Sequence, residues 1–132
     1  MTGEKNLSTL LATMTPRLNE GVYVFCSIDE TIQINPADIL CSFREKEGLT
    51  VIVKKDIADK LKLNYSFTAS WITLTVHSTL EAIGFTAAFS KALAEKGISC
   101  NVVAAFYHDH IFVPYNDADK AMETLRRLSV NF

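Results

Sequence analysis

WITLTVHSTLEAIGFTAAFSKALAEKGISCNVVAAFYHDHIFVP, residues 71–114, changes its hydrophobic period along its length. It opens on alternation. Ile72, Leu74 and Val76 fall on one side, with Trp71, Thr73, Thr75 and His77 on the other, which is the period of a strand. From Phe85 the spacing lengthens. Phe85, Ala88, Phe89, Ala92 and Leu93 share one helical face, and Gly97 stands just past its end as a C-cap. Two apolar runs follow, 98–107 and 110–114, predicted as strands that meet at His108-Asp109. A second helix then starts from Asn116 or Asp117, with Ala118, Ala121, Met122, Leu125 and Leu128 as its core stripe. Strand, helix, strand, strand, helix is an α+β order that lacks a closing strand, and an unpaired sheet edge needs cover.

The upstream sequence is where that strand must come from. NLSTLLATM, residues 6–14, has the leucine spacing of a short helix, which Pro16 ends. GVYVFCSI, residues 21–28, is apolar on both faces and reads as a central strand. DETIQINPAD, 29–38, is a loop. ILCSFRE and LTVIVKK, 39–45 and 49–55, form a hairpin about Lys46-Glu47-Gly48, and Asp56 caps a short helix, IADKLKL. The expected organisation is a lead-in over 1–20, a degenerate first unit over 21–70 and a fuller second unit over 71–132. The strand at 22–28 is expected to fill the vacancy in the second unit, so that the two are intertwined.

Composition narrows the function classes. The chain has 132 residues, 48% of them hydrophobic, with a formal net charge of −2. That suits a packed core and supplies no basic footprint for nucleic acid. No apolar run is long enough for a membrane span, and the N-terminus does not read as a signal peptide, so a cytoplasmic protein is expected. Cys26, Cys41 and Cys100 are odd in number, widely spaced and set in apolar segments, as buried thiols are. No nucleophile elbow, glycine-rich phosphate loop or paired-carboxylate motif stands out, so no catalytic residue and no cofactor are expected.

The segment from Trp71 to Leu128 resembles an ACT domain. More narrowly, the chain resembles tandem-ACT proteins related to the arginine-sensing ACT proteins and to small bacterial ACT proteins. LLATMTPRLNEGVYVFCSI is similar to the entry helix and strand of the bacterial group, and FREKEGLTVIV to its hairpin. AAFYHDHIFVPYNDADKAMETL is similar to the STYxTDYxLV…AxxxL segment of the arginine sensors, with Asp109-His110 in place of their Asp-Tyr. The resemblance implies a ferredoxin-like βαββαβ sandwich in two units. It also implies a non-enzymatic regulator that binds an amino acid or similar small metabolite at an ACT interface, as a homodimer.

The loop between the first strand and helix of residues 71–114 is the expected ligand site. A helix N-terminus presents free N–H groups and partial positive charge, which suit a carboxylate. Gly84 allows close backbone approach and positive φ. Ser78 and Thr79 can donate to a carboxylate, and Glu81 can receive an ammonium group. His77, Ala82, Ile83 and Phe85 complete the loop, and Asn101 is expected as a polar neighbour. Trp71 is expected to serve packing. His108, Asp109 and His110 leave alternatives open. Two histidines in a strand share a face and can begin a metal site, but no third ligand follows at a characteristic spacing, so no metal is expected. The favoured reading is a bend shaped by Asp109. A small metal-binding protein or enzyme centred on these residues, or a purely structural dimerisation module, are the alternatives.

Overall fold

The computed structural model describes residues 6–76 and 84–130. In chain order its elements are α1 (Leu7–Thr13), β1 (Thr15–Leu18), β2 (Tyr23–Ile28), β3 (Ile39–Arg44), β4 (Leu49–Lys54), α2 (Lys55–Lys60), β5 (Thr68–Thr75), α3 (Phe85–Glu95), β6 (Asn101–Ala104), β7 (Asp109–Pro114) and α4 (Ala118–Val130). Short 3-10 turns lie at Pro36–Asp38 and Tyr115–Asp117. The chain divides into two α+β units of the ferredoxin-like kind: Met1–Glu20 together with Ser70–Phe132, and Gly21–Ala69.

In the unit that holds both termini, the strand order is β1-β5-β7-β6. Thr15 faces Thr75 and Leu18 faces Ile72 in the antiparallel β1–β5 pair. Ile72, Leu74, Ile111 and Val113 project from one sheet face into a core with Phe85, Phe89 and Leu93 of α3 and Ala121, Met122 and Leu125 of α4. Leu10 and Leu11 of α1 are fully buried in the same core. Each such leucine contributes about 1.5–3 kcal/mol through burial. A helix of seven residues does not persist alone. It is held here by that packing, by its cap, where Asn6 Oδ1 accepts from the Thr9 N–H at 3.0 Å, and by Ser129 Oγ of α4, which donates to the Met14 carbonyl at 3.1 Å.

The closing strand is β1, not the strand at 22–28. The need for an upstream strand is met, but by a segment whose sequence hides it. Pro16 reads as a helix stop. Proline has no N–H to give to a ladder, and at the outer edge of a sheet this costs nothing because the outward N–H has no strand partner. β2 is occupied in its own unit. Tyr23–Ile28 pairs with Leu49–Lys54 of β4, and Tyr23 and Val24 pair with Ala69 and Thr68 at the start of β5. Its buried Val24, Cys26 and Ile28 pack with Val51, Val53 and Ala58.

That second unit differs from the first in one connection. Between β5 and β6 the chain forms α3, eleven residues long. Between β2 and β3 it forms no α-helix, but a turn at Asp29–Ile32 and the Pro36–Asp38 turn, the latter fixed by Asn35, whose Oδ1 accepts from the Ala37 N–H at 3.0 Å. The β3–β4 hairpin turns at Glu45–Gly48, where the Glu45 N–H donates to the Gly48 carbonyl at 2.9 Å. β3 carries an extra residue at Leu40, because Ile39 faces Val53 while Cys41 faces Ile52. α2 starts earlier than Asp56. The Lys55 N–H donates to the Val22 carbonyl at 2.8 Å, Lys54 takes the N-cap position without a side-chain bond, and Asp56 falls in the first turn.

Leu11→Ala is expected to cost about 2–5 kcal/mol in denaturant unfolding, whereas Leu18→Ala, at 42% exposed, is expected to stay within about 0.5 kcal/mol. Fluorescence of Trp71, the chain's single tryptophan, follows the unfolding of this unit.

Candidate functional site

The expected ligand loop falls between two described edges. His77, Ser78, Thr79, Glu81, Ala82 and Ile83 lie outside the described residues. Gly84 follows them as the N-cap of α3, at φ 89° and ψ −12°, and its carbonyl accepts the Ala88 N–H at 2.9 Å. This left-handed conformation disfavours any residue with a Cβ, and a Cβ at Gly84 would also stand 3.3 Å from Leu7 Cδ2. Phe85 is 2% exposed and meets Phe89 edge-on at 5.2 Å between ring centroids. Its side chain belongs to the core, so only its backbone N–H is available to a ligand.

Asn101 is not gathered to this end. It opens β6 opposite Phe112, with Nδ2 3.4 Å from the Phe112 carbonyl. The Ala104–Asp109 pair lies three positions further along the ladder, roughly 10 Å away at strand spacing.

Asp109 does not shape the bend. The turn lies at Phe106 and Tyr107, closed by the Ala105 N–H donating to the His108 carbonyl at 3.1 Å. Those two aromatics, which read as strand formers, are 75% and 65% exposed at the hairpin tip. Asp109 is the first residue of β7, paired with Ala104, and is 8% exposed. The two-residue period puts it on the same face as Ile111 and Val113, toward the helices. Its carboxylate has no hydrogen bond or ion pair among the described residues. Burial pushes its pKa up, and the nearby His108 partly offsets the rise. β7 begins where β5 ends, since His108 Nδ1 lies 3.2 Å from the Val76 carbonyl. A desolvated carboxyl group therefore stands at the sheet end from which the chain runs through 77–83 to the first turn of α3. The sequence carried the signal: an aspartate in phase with two core residues of a strand.

The two histidines take opposite tautomers. A carbonyl only accepts, so His108 Nδ1 carries the proton that points at Val76. An indole N–H only donates, so His110 Nδ1, 3.0 Å from Trp71 Nε1, accepts, and its proton sits on Nε2. Thr73 Oγ1 lies 3.1 Å from the same nitrogen and accepts in turn from Asn19 Nδ2 at 2.9 Å. Desolvation, with a smaller contribution from His108, lowers the pKa of His110. Trp71 is thus a hydrogen-bond donor to His110, a role its place in the alternation did not reveal. Among the described residues no group of three or more His, Cys, Asp or Glu side chains is arranged to hold a metal ion. Burial raises the thiol pKa values of Cys26 and Cys100, that of Cys100 to about 11, so both remain protonated at neutral pH. No helix among the described residues is long and apolar enough to cross a membrane.

Models of the ACT domain match the sequence twice, over residues 2–70 and over 66–127. No curated protein matches it. Among solved structures, a Vibrio cholerae protein of unknown function, described as a possible transport protein, is 44% identical with a TM-score of 0.81, over 95% of this chain and 97% of that one. An Agrobacterium tumefaciens protein is 17% identical with a TM-score of 0.72, over 88% and 89% of the two chains. The ligand-free regulatory subunit of aspartate kinase from Thermus thermophilus is 12% identical with a TM-score of 0.64, over 89% and 97%. The last two likenesses are of fold.

Gly84→Ala is expected to destabilise the protein by about 1–3 kcal/mol in denaturant unfolding, since it forces a left-handed residue and crowds Leu7. Asp109→Asn is expected to raise the thermal midpoint of the ligand-free protein at neutral pH by a few degrees. The sign follows from the raised pKa. A carboxyl group that is harder to ionise when folded supports the fold while protonated and withdraws that support as pH rises through its folded pKa. The difference between wild type and variant should accordingly shrink as the pH of the melt is taken below the carboxylate range.

Proposed function

The chain belongs to the ACT-domain family, and from that premise we propose that it is a non-enzymatic regulator that binds an amino acid or closely related metabolite. ACT domains are regulatory, ligand-binding modules, which sets the class. The observation that carries the ligand reading is Asp109. A carboxylate at 8% exposure that bonds to no other described residue, and that His108 only partly offsets, costs stability unless something positive meets it. A ligand ammonium, or a cationic ligand side chain, is the group that fits. The α-carboxylate of the same molecule suits the free N–H groups of the eleven-residue α3, whose N-cap Gly84 leaves the backbone open to approach. The segment between them, with Ser78, Thr79 and Glu81, supplies the remaining polar contacts in this reading. The protein acts in the cytoplasm and as a homodimer. The outer strands β1, β3 and β6 are edges that a second copy can extend.

Thermal-shift measurements with each standard amino acid at millimolar concentration test this reading. A ligand at a hundred times its Kd stabilises the native state by about 2.7 kcal/mol. At least one amino acid is expected to raise the midpoint by several degrees. Asp109→Asn is expected to abolish the response while its own ligand-free midpoint stays at or above wild type. No shift with any amino acid would count against the proposal.

A further inference from the structure

The Gly21–Ala69 unit contains a cavity of about 430 Å³, within the usual range for small-molecule sites. It lies at the end of the sheet where Tyr23 faces Lys54, β3 begins and α2 begins. Two irregularities of this unit shape it. The connection from β2 to β3 ends in a 3-10 turn and forms no α-helix, which leaves Asp38 at the rim of the cavity. The bulge at Leu40 puts an extra residue into β3 at this point, and Leu40 becomes a wall. Bulges recur where a strand re-aims a side chain at a site. Ile39 and Ile57 supply apolar surface, and Lys54 and Asp56 supply charge.

The charges are the informative part. Asp38, Lys54 and Asp56 line one cavity, yet none forms an ion pair or side-chain hydrogen bond among the described residues. Lys55, between Lys54 and Asp56, does pair, with Asp59 one turn along α2 at 2.9 Å. All three are exposed, so the cavity presents both signs of charge at its open side, beside an aliphatic wall. We infer that this cavity is a second ligand site, for a small zwitterion whose ammonium faces Asp38 and Asp56, whose carboxylate faces Lys54 and whose hydrocarbon lies on Ile39, Leu40 and Ile57. The inference is independent of the reading of Asp109, which concerns the other unit.

Titration of the isotopically labelled full chain, followed by amide chemical shifts, tests it. The probes are β-alanine, γ-aminobutyrate and the standard amino acids, with butylamine and butyrate as single-charge controls. At least one zwitterion is expected to give saturable shifts at Leu40, Lys54, Asp56 and Ile57, while each control binds about tenfold more weakly or worse. Lys54→Ala and Asp56→Asn are each expected to weaken binding by about tenfold or more. Neither side chain bonds to another described residue, so both variants should keep the wild-type spectrum elsewhere. Saturable shifts confined to Gly84, Phe85 and Asp109 would overturn this site and leave the other standing. The absence of saturable shifts at the cavity with every zwitterion, or equal binding by the controls, would also overturn it.

Discussion

The edge of β5 is the constraint on which the rest of the structure depends. A strand whose outer N–H and C=O groups are left bare invites pairing with any other chain, so it must be covered. Thr15–Leu18 covers residues 72–75, while Tyr23 and Val24 pair with the first two residues of the same strand. Covering β5 in this way brings the N-terminal helix to its place. Met14 leads directly into β1, so Leu10 and Leu11 can reach Ile72, Leu74 and the helices α3 and α4. Leu7 in turn approaches Gly84, the residue that caps α3 at the end of the expected ligand loop. A strand pairing far from the loop in sequence therefore bears on the backbone at the candidate site.

Much of this was legible in the sequence wherever a period was long and clean. The alternation of Trp71–Val76, the helical face from Phe85 to Leu93 and the hairpin about Gly48 all predict elements that the structure contains. The resemblance to ACT domains, carried by the order of these elements, agrees with the family models over both halves of the chain. Short or unusual elements were not legible. β1 is four residues with a proline, a pattern that local preferences assign to a stop. The tip at Phe106-Tyr107 uses aromatics where turns usually use glycine, asparagine or aspartate, so the bend was placed two residues late, at the aspartate. The candidate site was only half legible for the same reason. Gly84 was found by its position before a helix, while Asp109 was taken for a turn residue because aspartate in a strand is uncommon.

What distinguishes Asp109 is that it works against stability. The residue is 8% exposed, its carboxyl group bonds to no other described residue, and desolvation raises its pKa against a smaller opposing effect of His108. Proteins retain such costs at sites that function requires. The neighbouring His110 shows the contrasting solution to burying a titratable group. Desolvation lowers its pKa, and its Nδ1 accepts from Trp71 beside Thr73, which Asn19 supports in turn.

The pairing of β1 with β5 can be observed directly. In nuclear Overhauser spectra of the full chain, the register described here predicts cross-strand contacts between Thr15 and Thr75 and between Arg17 and Thr73, with none linking residues 25–28 to 72–75. Contacts from the 22–28 strand to Ile72–Thr75, with none from 15–18, would contradict it and return the closing role to the strand that the sequence alone suggested.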